Sequence, residues 1–284
     1  MISGTAILFI LFAIFFSTIS KILFRHVLKE TDTYAFTFVN QIISMLLFLP
    51  LLIFNFSMPS NPQGWIALII AGGIWASTVF IGNLSYKYSE VSIRESLSQT
   101  RIIWVLLFGV LFLNESITLS GIIGIFTIFF GLGLLLWHPE RKLGRIYDKK
   151  VLIVLLGAFM ISIATIADKY VLRFFSPEVY SFFSCLIPFL ALSFFLKGKT
   201  PHIKHLFKHR GVTAILAIAF SAVSYYFVLL IFSSTNITIA YPILQAGILF
   251  TVIGGIIFMK ERENITQKII ASIIVIVGTI IIGK

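Results

Sequence analysis

The sequence predicts an all-α integral membrane protein: ten transmembrane helices arranged as two inverted five-helix repeats. Three observations carry that expectation. Apolar runs of spanning length fill nearly the whole chain, the connections between them are short and polar, and the second half resembles the first at a constant offset. The 284 residues are 58% hydrophobic and 12% charged, with a mean hydropathy of +1.03. A soluble domain carries roughly a quarter charged residues, so this chain lacks the polar surface to wrap a water-facing core. Lipid is the solvent for most of its surface.

A spanning helix needs about 20 mostly apolar residues. Such runs lie near 4–27, 33–54, 65–86, 91–113 and 118–137, and again near 151–173, 178–196, 211–233, 238–259 and 266–283. The first has no basic segment ahead of it and no small-residue cleavage pattern, so it reads as a spanning helix rather than a signal peptide. Most connections are under about ten residues, which forces neighbouring helices to run antiparallel. Residues 55–62 are rich in turn formers and read as an ordinary loop. Pro139, Gly144 and the charges around them mark the divide, giving a first unit 1–137, a basic connection 138–150 and a second unit 151–284. Cys185 is the single cysteine, so no intrachain disulfide forms. No motif calls for a cofactor, a metal or a nucleotide-binding domain.

The likeness of the halves is specific in its order. Glu115 and Glu261 lie 146 residues apart, and the same offset joins Gln99 to Gln245 and Gly109 to Gly255. Upstream, Thr18-Ile19-Ser20-Lys21 resembles Thr165-Ile166-Ala167-Asp168-Lys169 at nearly that spacing. Five spans per unit is an odd number, so the second unit enters from the opposite side of the bilayer. Inverted repeats usually place a solute site between them near the midplane, where two alternative tilts give alternating access.

The formal charge of +11 does not gather on a soluble domain, as a nucleic-acid binder would require. Of the 22 Lys and Arg, 16 lie in or beside alternate connections, chiefly 138–150 and 197–210. Basic connections stay in the cytoplasm, so these are expected there, with both termini outside. His202, His205 and His209 read as part of an interfacial basic segment near anionic lipid heads rather than as metal ligands.

Ionisable groups inside the apolar layer are costly and tend to face a cavity or a partner. The fourth run carries the densest set, Arg94-Glu95-Ser96-Leu97-Ser98-Gln99-Thr100-Arg101. A guanidinium offers a planar fork of donors suited to carboxylate or phosphate, which makes Arg101, and Arg94 with it, candidates for an anionic group. Gln99 and Gln245 are candidates to hydrogen-bond a solute or each other, and Trp75, Tyr225 and Tyr241 to shape the pocket. Lys21, Glu95, Asp168 and Lys169 are candidates for coupling or for an ion pair. Asp168 is expected to pair with Lys21 or Lys169, and Glu115 and Glu261 to satisfy backbone donors of the following helix.

At its two Phe-x-x-Glu positions, 112–115 and 258–261, the chain resembles the drug/metabolite transporter superfamily in its EamA-like branch. The Gly-rich run from Gly121 to Gly133, echoed at Gly278, strengthens the resemblance. It implies ten helices built from two repeats and a secondary transporter working by export. Where members often carry proline, this chain has Ile102 and Ile248; and residues 1–29 hold no acid, unlike the first helix of the related four-helix proton antiporters. The expected function is thus alternating-access transport of a small polar or amphipathic metabolite across the cell (inner) membrane, its partners being that solute and the lipid bilayer, with no nucleic acid. The rival expectation is a membrane-embedded enzyme acting on a lipid head group.

Overall fold

The computed structural model describes residues 4–57, 59, 61–115, 118–136, 149–245, 247–260 and 264–282. Twelve helices among them make ten passes. The first repeat comprises α1 (Gly4–Leu28), α2 (Thr33–Phe54), α3 (Pro62–Tyr88), the pair α4 (Val91–Ser98) and α5 (Thr100–Leu113), and α6 (Leu119–Leu136). The second comprises α7 (Lys149–Val171), α8 (Pro177–Ser193), α9 (Thr200–Ser234), the pair α10 (Ile237–Gln245) and α11 (Ile248–Phe258), and α12 (Ile265–Ile282). Six passes are long and apolar enough to cross a membrane on their own. Glu261, the connection 137–148 and Lys284 lie outside the described residues.

Local chemistry sets the starts. The Asp32 carboxylate accepts from the Ala35 amide at the head of α2, and the Asn61 side chain accepts from Gln63 at the head of α3, with Pro62 at the first helical position. Ser176 and Pro177 do the same for α8. The two repeats also stop alike: Asn114 and Lys260, again 146 residues apart, both adopt the left-handed conformation, at φ 57° and 56°, just after α5 and α11.

Two runs expected as continuous helices are broken. The fourth pass breaks at Gln99, and the ninth divides between α10, which ends at Gln245, and α11, which begins at Ile248, so the two breaks fall close to corresponding positions of the repeats. Pro242 withholds one backbone donor within α10. At Gly247 the backbone lies so close to Ile14 of α1 that a Cβ would sit 2.8 Å from its side chain. Discontinuous helices of this kind expose backbone and side-chain polar groups to a central site.

The main packing crosses between repeats and comes in symmetry-related pairs. α1 packs along α9 and α3 along α7; α2 faces α8, and α6 faces α12. The α6–α12 seam is closed by glycine. A Cβ at Gly278 would lie 2.8 Å from both the Gly124 carbonyl and an Ile128 methylene, while one at Gly133 would meet nothing within 4 Å. Small residues let spanning helices approach where no hydrophobic force drives them together. Gly278→Leu is therefore expected to cost about 1–3 kcal/mol by forcing the helices apart, read as a lowered unfolding temperature in detergent. Gly133→Ala should leave it near the wild-type value.

α9 begins eleven residues ahead of the expected span, because the basic segment 200–210 is itself helical and kinks into the membrane pass at Arg210 (φ −138°, ψ 16°). His202, His205 and His209 stand exposed on it. Arg210 donates to both Glu30 carboxylate oxygens, at 2.7 to 2.9 Å, and lies 2.7 Å from His26 Nε2, tying the segment to the end of α1. These hydrogen bonds hold the Glu30 carboxyl below its ordinary range. A depressed folded value means that the tie is present above the unfolded pKa and is lost as pH falls through the folded one. Amide exchange across 200–210 is expected to rise below pH ~4, and Glu30→Gln should bring that exchange to neutral pH.

Candidate functional site

Between the repeats, α1, α2, α3, α4, α5, α7, α9 and α10 enclose a branched cavity. One compartment of about 280 Å³ is lined by Lys21, Trp75, Tyr86, Arg94, Arg101 and Tyr225, among others. A second, of about 170 Å³, shares Lys21, Trp75, Arg101 and Tyr225 and adds Asp168, Tyr241 and Gln245. Six of the expected binding residues therefore meet in one place: Trp75, Arg94, Arg101, Tyr225, Tyr241 and Gln245. Their origin on five different helices is why no local stretch of sequence looks like a site.

The positive wall rests on a buried charge cluster. Glu95 is fully buried. Its carboxylate meets Lys21 Nζ at 2.7 Å, receives the Arg94 guanidinium and accepts from the Tyr86 hydroxyl at 3.0 Å. Arg94 also donates from Nε to Ser85 Oγ at 2.7 Å and stacks its guanidinium 3.5 Å over the Tyr86 ring. Arg94 is only 5% exposed, so it does not reach for interfacial water.

Arg101 projects past this cluster. It donates to Gln245 Oε1 and lies 6.0 Å from the Tyr241 ring, joining the two repeats across the cavity. Its Nε is buried without a hydrogen-bond partner. Three cations, Lys21, Arg94 and Arg101, thus face one carboxylate, Glu95, leaving a formal excess of two positive charges on this wall. In low dielectric such an excess attracts an anion strongly.

The opposite wall holds Asp168. Contrary to expectation, it forms no ion pair with Lys21 or Lys169. Lys21 is taken by Glu95, and Lys169 Nζ turns away to donate to the carbonyls of Phe232 (2.5 Å) and Thr235 (3.0 Å) at the end of α9. Asp168 instead accepts from Trp75 Nε1 and the Tyr180 hydroxyl, each at 2.6 Å, and from the Tyr225 hydroxyl at 3.2 Å. Burial made three neutral donors on α3, α8 and α9 the available partners, and helix crossing kept both lysines out of reach. Trp75 and Tyr225 also meet edge to face, with centroids 5.6 Å apart.

Two further expectations are corrected. Gln99 and Gln245 do not bond each other: Gln99 Nε2 donates to the Glu95 carbonyl at 3.3 Å, and its side chain does not line the cavity. Glu115 satisfies backbone donors, but those of Ile237 (3.1 Å) and Thr238 (2.9 Å) at the head of α10 in the other repeat, not those of α6. The inverted packing brings the head of α10 against α5. Glu115 and Lys169 share a separate polar cleft of about 490 Å³ at the end of the bundle opposite the basic connections.

Sequence reasoning missed Tyr180, and it missed a cluster of uncharged polar residues centred on Asn40, Gln41 and Ser44 of α2. A third compartment, about 130 Å³, opens beside Trp75 and Tyr225 and is lined by these α2 residues with Ser184, Cys185 and Ser221. The available signal is three polar residues at i, i+1 and i+4 in the middle of an otherwise apolar run.

The profile of the EamA-like transporter family matches residues 4–137 and 148–284. No curated protein matches the chain significantly. Among 28 matching chains of solved structures, one crystal structure superposes with a TM-score of 0.71 at 13% identity, covering 99% of this chain and 96% of that one. That likeness concerns the fold.

Proposed function

Because the chain belongs to the EamA-like transporter family, we propose that it is a secondary transporter whose solute is a small polar or amphipathic metabolite carrying an anionic group. An amino acid or a nucleotide-like compound fits that description. The observation that carries this reading is the cationic wall: Lys21 and Arg101 face a cavity at the repeat interface, the Glu95 carboxylate beside them is already engaged, and Asp168 stands on the opposite wall among neutral donors. The Arg101 fork takes the carboxylate or phosphate of the solute, Lys21 and Arg94 add charge, and Gln245 orients Arg101. Trp75, Tyr225 and Tyr241 flank the solute.

Asp168, held by three neutral donors with no cation beside it, is the group assigned to coupling. Lys21 and Glu95 form the ion pair that organises the cationic wall. The units that tilt against each other are 1–137 and 151–284, joined through the basic connection 138–150. The basic connections 138–150 and 197–210 face the cytoplasm across the cell membrane, and the direction is export. Nothing in the family match favours an enzyme acting on lipid head groups.

The test is a thermal-shift screen of the purified protein against amino acids, nucleotides, sugar phosphates and organic cations, followed by flux of the hits in liposomes. Stabilisation by an anionic or zwitterionic solute, with saturable flux, is the expected result. Stabilisation by cations or neutral solutes alone overturns the anion assignment, and absence of any flux overturns transport.

A further inference from the structure

The 130 Å³ compartment beside Trp75 and Tyr225 contains polar groups that the protein itself leaves unused. Gln41 is 3% exposed and Ser44 6% exposed. Among the described residues neither side chain has a hydrogen-bond partner, nor has Asn40 or Ser221. The Asn40 side-chain oxygen, Oδ1, is buried and has no hydrogen-bond partner. All four side chains line the same compartment.

Several other small polar side chains inside spanning helices bond back to their own helix. Thr37 donates to the Thr33 carbonyl at 2.7 Å, Ser162 to the Ala158 carbonyl at 2.7 Å, and Ser193 to the Phe189 carbonyl at 2.8 Å. The α2 cluster departs from that habit at mid-helix, where an unsatisfied polar group costs most. Buried polar groups are almost always paired. Two buried side chains, Gln41 and Ser44, and two half-buried ones, Asn40 and Ser221, that converge on one space without a partner among the described residues mark a place where the partner comes from outside the chain.

From this convergence we propose that the α2–α8–α9 pocket is a subsite for an uncharged hydrogen-bonding group on the solute, a hydroxyl or carboxamide. It deepens the proposed function, since the anionic group is assigned to the Arg101 wall and this group to the branch. The two compartments share Asn40, Trp75, Val79, Ser221 and Tyr225, so one molecule reaches both. An apolar cavity of ~150 Å³ admits benzene, so this branch has room for a group of about six heavy atoms. The two amides, Asn40 and Gln41, offer both donors and acceptors, which matches a group that gives and takes hydrogen bonds and is neutral. No ionised side chain lines the pocket, so a second charge on that end of the solute finds no counterion.

The test uses solutes matched in charge and shape. 4-Hydroxybutyrate is compared with pentanoate, and glutamine with methionine, by thermal shift and competitive binding. The wild type is expected to favour the hydrogen-bonding member of each pair by roughly tenfold or more. Gln41→Leu, close in volume but without the amide, should erase the preference while pentanoate affinity stays. Cys185, the single cysteine, lines the pocket and supplies an independent readout: its alkylation by N-ethylmaleimide should slow in the presence of 4-hydroxybutyrate more than of pentanoate.

Propionamide, uncharged and bearing a carboxamide, separates this inference from the anion reading. Protection of Cys185 by propionamide without binding of any acid sustains the subsite and overturns the anion assignment. If acids bind with no preference within pairs, or if neither propionamide nor the hydroxy acid protects Cys185, water alone fills the pocket and the subsite is overturned. A Gln41→Leu protein that binds pentanoate normally and still prefers 4-hydroxybutyrate has the same meaning.

Discussion

Arg101→Ala is expected to abolish the stabilisation that an anionic solute confers on the wild-type protein, and liposome flux with it. Truncating one partner of a buried, hydrogen-bonded charge contact costs about 2–5 kcal/mol, which is a loss of roughly thirtyfold to several thousandfold in affinity. The loss has two sources. The solute gives up a two-pronged contact, and Gln245 Oε1 loses the donor that Arg101 supplies across the repeat interface. Arg101→Lys separates them: it keeps the charge and loses the planar fork, so an intermediate affinity is expected. Unchanged affinity in Arg101→Ala would remove this residue from the site and leave the aromatic wall as its centre.

The largest effect on stability is expected at Glu95. Removing one member of a buried ion pair costs about 3–5 kcal/mol because the partner charge stays buried and uncompensated. Here two cations are left, Lys21 and Arg94, together with the Tyr86 hydroxyl. Glu95→Ala should therefore lower the unfolding temperature in detergent sharply and reduce the yield of folded protein. Adding Lys21→Met to Glu95→Ala should recover part of the loss, since one of the stranded charges is then gone. A Glu95→Ala protein as stable as wild type would show that water reaches the cluster and that its role is confined to charge in the cavity.

Lys21 and Arg94 are coupled through that carboxylate, which has a consequence for the site itself. Glu95 neutralises one of three cations and orients two of them, so the cationic wall keeps its excess while its geometry is held. The arrangement explains how a spanning helix tolerates Arg94-Glu95 at all. The two side chains are paired inside the bundle, and the cation over Tyr86 adds a desolvated ring contact.

Much of the site is legible in sequence because charge and aromatic bulk are conspicuous in an apolar run. Arg101, Trp75, Tyr225, Tyr241 and Gln245 all meet at the cavity. Gln99 carries the same signal and lies elsewhere, since the break in the fourth pass lets its amide reach back to the Glu95 carbonyl. Asn40, Gln41 and Ser44 give a weaker signal. Small neutral side chains in a spanning helix usually bond to their own backbone, and sequence does not reveal which ones fail to.

The sequence alone determined that lipid is the solvent, that the chain makes ten passes and that two odd-numbered units are inverted. These follow from local sums of hydropathy and from a repeat offset, neither of which needs to know which helix touches which. Only the tertiary structure decided the partners. Glu95 belongs to Lys21 and Arg94, Asp168 to Trp75, Tyr180 and Tyr225, and Glu115 to the head of α10. Partner choice depends on helix crossing and depth, set by side-chain packing along entire helices. In an interior without water, whichever donor that packing brings within reach becomes the bond.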